Sequence, residues 1–311
     1  SFRPRFSLTD KDYLGYLKIT LPLMLGVTLL TVDEWIGRMI ASLSVSGAIS
    51  WLNNARRLML VPMALIGQAA AQAALPFLSQ LVAEKREDEM GETLTSTIQG
   101  TLFLSVLSAV VVAIVSPSAV SFVYERHAYS RADAARTAQL LLCFAPAIPV
   151  WAVQVVSVRG FYARGDTLRP MVVGTIVTLL SLPVYIFLYE NFALPGLALS
   201  TSVGLALNAV ATIVVYQVAY GGLRLRALGV GFLRTIVVSV CAGGPVWLLA
   251  HYWPFPKVGF PHAALFLAVN GLLFLSLAGI AASRLDGPEG QLAKRIGTKL
   301  LRPLRRLRPS A

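Results

Sequence analysis

This sequence is short of charge. Only 14% of its 311 residues are Asp, Glu, Lys or Arg, where a soluble domain carries about 25%. With 56% hydrophobic residues and a mean hydropathy of +0.68, a water-soluble globular chain is excluded and an integral membrane protein is indicated. Cysteine is nearly absent. Cys143 and Cys241 both lie in apolar runs, which excludes a disulfide framework and cysteine-based metal spacing; they read as small buried apolar residues. Histidine is as scarce, and His127, His251 and His262 are scattered through connections without ligand spacing. No strand pattern is evident, so no Gly-rich phosphate loop follows one, and no serine, histidine and acid arrangement stands out. An enzyme is therefore not indicated, and no cofactor or metal is expected. Acids are outnumbered, 15 against 27 bases, for a net charge of +12. In a membrane chain this fits basic cytoplasmic loops meeting anionic lipid better than a nucleic-acid partner.

What the chain has is apolar runs long enough to cross a bilayer, about 20 residues each. It opens on Ser1 rather than Met, and residues 1–12 are polar and basic without a signal-peptide pattern. They read as a cytoplasmic amino-terminal segment of a longer protein. Spans are expected over 13–43, 58–82, 95–115 and 138–158, then 171–189, 197–220, 232–250 and 263–282. The first is too long for a simple crossing, and Pro22 can bend it. Ser116-Pro117-Ser118 should end or kink the third, and Pro146 and Pro149 should bend the fourth. Residues 84–89 read as a solvated loop of mixed sign. Asp166 or Thr167 can cap the helix that opens on Pro170.

The few charges inside apolar runs are the informative ones. Asp33, Glu34 and Arg38 sit where the first span should be apolar, and Arg56 and Arg57 stand at the mouth of the next. Each charge at mid-membrane depth costs roughly 2.5–3.5 kcal/mol. Two readings fit. Glu34 and Arg38 are spaced as a favourable helical ion pair, or the charges line a wet cavity that handles a charged substrate. The basic connections sort onto two sides. One takes the amino terminus, Lys85, Arg86, Arg164, Arg169, Arg224, Arg226, Arg234 and the tail from Arg284; the other takes Arg56, Arg57, Arg126, Arg131, Arg136 and Lys257. The first is richer, so both termini are expected in the cytoplasm. The tail, 285–311, mixes leucines with Lys294, Arg295, Lys299, Arg302, Arg305 and Arg306, a membrane-surface pattern that would meet anionic phospholipids.

Several segments, in order, resemble a family. Leu21-Pro22-Leu-Met-Leu-Gly26, Asn54-Ala-Arg-Arg-Leu58, Val61-Pro62, Gly67, Leu75-Pro76 and Leu78-Ser79 are similar to the seventh and eighth spans of the MurJ/MviN lipid II flippases of the MOP exporter superfamily. The run from Arg159 to Pro170 resembles the loop after the family's tenth span, and Gly196-Leu-Ala-Leu-Ser-Thr-Ser-Val-Gly204 its twelfth. The resemblance implies an all-α integral membrane protein of about eight transmembrane helices. Residues 13–222 would form one six-helix lobe and residues 223–284 two additional helices, with the first lobe of the transporter absent from this chain. It also implies a function: flipping lipid II, a polyprenyl pyrophosphate-linked glycopeptide, across the bacterial cytoplasmic membrane by alternating access. Another polyprenyl-linked glycan as cargo, or a non-transporting scaffold of cell-wall synthesis, are the alternatives.

The resemblance points to Arg57 as the cavity arginine, with Arg56 and Arg38 beside it and Arg159 before the Phe-Tyr-Ala run, all as substrate-binding candidates. Arg159 fits a snorkelling residue at a helix end equally well. Arg56 stands where family members commonly carry an acid. The family's ion-site carboxylate falls on Gly37, one turn from Asp33 and Glu34, which remain as candidate ion or charge partners. Ser181 and Tyr185, at further polar positions of the family, are weak cation ligands, and no ion site is expected.

Overall fold

The computed structural model describes residues 44–125, 129–253 and 260–284 throughout, together with 13–15, 17, 20, 35, 37–42 and 290–291. Among the described residues there is no strand; nearly everything is helix. The expected first span, Asp33, Glu34, residues 1–12 and the basic tail lie largely or wholly outside the described residues.

Helix α1 runs from Ala48 to Ala83 and contains a π-helical stretch, Met63–Gln68. It begins ten residues before the expected span. The break before it is only the turn at 44–47, where Gly47 takes φ 93° and a Cβ would lie 2.9 Å from the Trp51 ring. Arg56 and Arg57 are therefore inside the helix, two turns past its start, and not at its mouth. Helix α2, Glu87–Tyr124, starts on Glu87, Asp88 and Glu89, acids that suit the positive end of the helix dipole. It continues past Pro117 to Tyr124, so the end expected there from the sequence does not fall at that proline.

Helices α3 (Arg131–Phe144) and α4 (Ala147–Ala163) meet at a 44° bend and make one broken span. Ser130 caps α3, its hydroxyl accepting from the Asp133 N–H while Asp133 accepts from the Ser130 N–H. Pro146 at the bend cannot continue α3. Helix α5, Leu168–Tyr220, has 53 residues, about 80 Å if straight, against a hydrocarbon core of about 30 Å. It folds back at Ala193 (φ 53°, ψ −135°). A Cβ on Gly196 would lie 1.9 Å from the Leu188 carbonyl oxygen, so only glycine lets the reversal close. The arms are antiparallel: Arg169 reaches Tyr220, Gly174 faces Asn208, and Ser181 faces Gly204. The cap of α5 is Asp166, which accepts from the Arg169 N–H at 3.1 Å, and not Thr167.

Helices α6 (Leu225–His251) and α7 (Phe260–Ser283) pack on α2 and on each other, burying Phe103, Leu107, Val238, Ala242 and Phe274. Five helices are long and apolar enough to cross a membrane, and the bent α3–α4 pair makes a sixth. Dividing α5 at Ala193 gives seven crossings among the described residues. The chain is a multi-pass, all-helical membrane protein.

Alternation of the crossings gathers the connections into two ends. At one, Arg164 pairs with Glu87, Arg224 with Glu92, and Gly91 abuts Gly222. At the other, the Trp51 indole donates to Asp133 at 2.9 Å and the Tyr124 hydroxyl to the Asn54 carbonyl at 3.4 Å. This is the two-sided sorting of the basic connections that the sequence implies, for every connection described.

Candidate functional site

The charges expected to matter come from two helices beside each other. The helical residues 37–42 and the first third of α1 enclose a small pocket lined by Gly37, Arg38, Ala41, Ile49, Leu52, Asn53 and Arg56. Gly37 faces the arginine: a Cβ there would lie 3.9 Å from an Arg56 terminal nitrogen, an ordinary contact distance. The Arg56 guanidinium is half-buried and stands 5.9 Å from the centre of the Phe144 ring at the α3–α4 bend. The pocket is thus walled by apolar side chains and furnished with two guanidinium groups and one amide.

Arg57 is the next residue but points elsewhere. It is exposed, and its charge acts on the Tyr124 hydroxyl at the end of α2. Neither Arg56 nor Arg57 forms a hydrogen bond or ion pair with a described residue. A guanidinium carries five N–H donors and no acceptor, so this region has donors to spare for an anion. In low-dielectric surroundings such donors are worth more than in water.

Arg159 is not brought to this pocket. It lies on α4 toward the opposite end of the bundle, its guanidinium 5.6 Å from the Tyr162 ring and its Nε buried without a partner. Three of the four arginine candidates therefore cluster in one region, and the fourth stands apart. Asp33 and Glu34 lie outside the described residues. Ser181 and Tyr185 are buried against Gly204 on the other arm of α5, and the Ser181 hydroxyl donates to the Val177 carbonyl. No group of three or more His, Cys, Asp or Glu that could hold a metal occurs among the described residues.

Sequence reasoning missed three features. Tyr124 at the end of α2 donates to the Asn54 carbonyl, one turn before Arg57. Gln154 donates to Asn208 Oδ1 at 3.2 Å; both amides are plain in the sequence, but the antiparallel fold of α5 that brings them together is not. The acidic run 84–89 is also more than a solvated loop. From Glu87 on it is helix, and Glu87 pairs with Arg164, whose guanidinium packs 4.5 Å from the Tyr220 ring. In the connection itself, burial pushes the Asp166 carboxyl up, but the Tyr220 hydroxyl and the N–H groups of Arg169 outweigh it and hold the group below the usual range.

The family described as lipid II flippase MurJ matches residues 1–266. A probable lipid II flippase MurJ of Vibrio cholerae is 24% identical over 288 residues, 90% of this chain and 53% of that protein. A probable lipid II flippase MurJ of Rhizobium tropici is 29% identical over 273 residues, covering 88% and 50%. The chain spans about half the length of the curated relatives it matches. Among solved structures, a lipid II flippase MurJ in an inward closed conformation aligns with a TM-score of 0.70 at 20% identity, over 89% of this chain and 56% of that one. An outward-facing MATE family multidrug resistance transporter of the MOP superfamily aligns at 0.51 and 15%, over 91% and 68%. At these identities the two structures speak to the fold alone.

Proposed function

The chain belongs to the lipid II flippase MurJ family, and from that membership we propose that it is the carboxy-terminal part of a transporter that moves lipid II from the inner to the outer leaflet of the bacterial cytoplasmic membrane. In this reading it works with an amino-terminal lobe, the two rocking about a central site. The observation that carries it is the pair Arg56 and Arg57, two guanidinium groups without a hydrogen bond or ion pair to any described residue, carried within helix α1. Lipid II presents a pyrophosphate, whose desolvation such groups offset by charge-assisted hydrogen bonds. Arg57, being exposed, is the primary contact; Arg56 and Arg38 line the pocket beside it. Arg159 would meet the substrate only at another stage of its path. A cationic drug would call for acids here, and the arginines favour an anionic cargo. No covalent bond changes in flipping, so no acid, base or nucleophile is required. Both termini lie in the cytoplasm, where the basic tail meets anionic phospholipid.

The test is complementation in a strain depleted of its own flippase, using the full-length protein and scoring growth and outer-leaflet lipid II. Losing one charge-assisted contact, about 1.5–3 kcal/mol, lowers the rate on the order of 10- to 100-fold. Arg57→Ala should fail to rescue at equal membrane levels, and Arg56→Ala should rescue partly. Full rescue by Arg57→Ala would remove it as an essential contact. Failure of the unaltered, inserted protein would favour another lipid-linked glycan or a scaffold.

A further inference from the structure

Three sides of α4 are taken by neighbouring helices. A Cβ on Gly160 would lie 2.6 Å from Leu94 of α2 and 2.7 Å from the Tyr216 ring of α5. A Cβ on Gly67 of α1 would lie 3.0 Å from the Ala152 Cα. Gln154 bonds Asn208 of α5. Helical spacing gathers Trp151, Val155, Val158, Arg159 and Tyr162 on the remaining side. All five are half-buried, whereas residues on the open apolar surface of α5, such as Leu180 and Val218, are 66% and 84% exposed. The fourth side is therefore recessed, and it is apolar but for one guanidinium and one phenol.

The Arg159 guanidinium is not committed to the protein. It makes no hydrogen bond or ion pair with a described residue. Its Nε is buried without a partner, and its charge rests 5.6 Å from the centre of the Tyr162 ring. A buried donor left without an acceptor is costly, and turning to water gives little relief. The Cα–Cβ bond of a helical residue tilts toward the helix N-terminus. Helix α4 runs from the α3–α4 bend to Arg164, so Arg159 leans back into the membrane. Helices α1 and α4 run parallel, both toward the end that carries the Arg164–Glu87 junction. From the contact of Gly67 with Ala152, Arg159 lies seven residues onward and Arg57 ten residues back. Roughly 25 Å of helix separates the two, most of a hydrocarbon core of about 30 Å. A pyrophosphate is far too small to touch both at once.

We propose that Arg159 and Tyr162 form a second station for the lipid-linked pyrophosphate, at the end of the membrane opposite Arg57. The guanidinium takes phosphate oxygens by charge-assisted hydrogen bonds. The Tyr162 hydroxyl, which bonds to no described residue, donates one more. Trp151 and Val155 lie on the bilayer-centre side of Arg159, where the polyprenyl chain of a cargo held at this station runs. The inference rests on the reading of the cargo as a lipid-linked pyrophosphate and adds where that anion is held away from Arg57.

The test is binding, in the full-length protein held in phosphatidylcholine nanodiscs, with a polyprenyl pyrophosphate as the probe. Arg57→Gln should leave a residual site. Adding Arg159→Gln should weaken that site about 10- to 100-fold, as the loss of one charge-assisted contact does, and adding Arg159→Lys instead should weaken it less. A photo-crosslinking phenylalanine in place of Tyr162 should capture the probe in the Arg57→Gln protein. Phosphatidylglycerol added to the discs should not displace the probe from that site. Displacement at equal concentration would make the station a phospholipid-headgroup contact and overturn the proposal. Equal affinity with and without Arg159→Gln would also overturn it, while leaving the reading of the cargo in place. Failure of the unaltered protein to bind the probe would overturn that reading and the station with it.

Discussion

Pro117 withholds the N–H that the Ala113 carbonyl would take in a regular helix, and yet α2 runs on to Tyr124. The neighbouring Ser116 hydroxyl donates to that carbonyl at 3.3 Å, so the orphaned acceptor is satisfied from within the helix. Ser116 is 4% exposed, and water cannot take over the role. Replacing it by alanine should lower stability by about 1 kcal/mol, read as a fall in the melting temperature of the purified protein in detergent; no change would mean that the bond carries nothing. At this scale the sequence was legible in part. The prolines marked every place where the helices meet trouble: Pro62 before the π stretch, Pro146 at the bend, Pro195 at the reversal. What they did there was not legible, because a lost N–H is answered by a hydroxyl at one site, a wide turn at another and a break at a third.

Between elements, the connections at one end of the bundle are clasped by groups far apart in the chain. Arg164 lies between Glu87 of α2 and the Tyr216 and Tyr220 rings of α5, and Asp166 accepts from both the Tyr220 hydroxyl and Arg169. This is what the Arg159–Pro170 run builds, a junction of α2, α4 and α5. The sequence showed the run as a motif without showing its partners, since they come together only once α5 has folded back. The Asp166 carboxyl titrates below its ordinary range because these donors outweigh its burial. Its unfolded value is about 3.9. The stability it adds is therefore full above that pH and is lost as pH falls through the lower, folded value. Asp166→Asn should be less stable than the native protein at pH 7, and the two melting temperatures should converge as the pH is taken down through the lowered, folded value. A difference that is constant across that range would show that the carboxylate's charge is not what holds the junction.

For the whole molecule, orientation follows from the sum of small charge terms. Among the described residues, the end that carries the Arg164–Glu87 junction holds Lys85, Arg86, Arg164, Arg169, Arg224, Arg226 and Arg284. The opposite half holds Arg131 and Arg136 in the first two turns of α3, Arg38 in the helical stretch before α1, and, within α1, Arg56 and Arg57. Those two are the ones the positive-inside rule counts least, for they are functional candidates inside a span and not loop residues. Removing them from the tally widens the bias. Aromatic side chains gather at both ends, Tyr124, Tyr129, Tyr252 and Trp253 at the arginine-poor one and Tyr162, Tyr216 and Tyr220 at the other, as interfacial belts do, and leave the direction to the charges. The division of the basic connections between two ends was legible in the sequence because loop charge survives any error in helix boundaries. The depth of Arg56 and Arg57 was not, because ten residues of polar-looking sequence before Leu58 belong to the helix. Single cysteines placed at two exposed positions settle the direction: Ala132→Cys at the poor end and Asp88→Cys at the rich end. In intact cells a membrane-impermeant maleimide should label Ala132→Cys at once and Asp88→Cys only after permeabilisation. The reverse pattern would put Arg57 nearer the cytoplasmic mouth, making it the first arginine a pyrophosphate meets on entry and not the last it leaves.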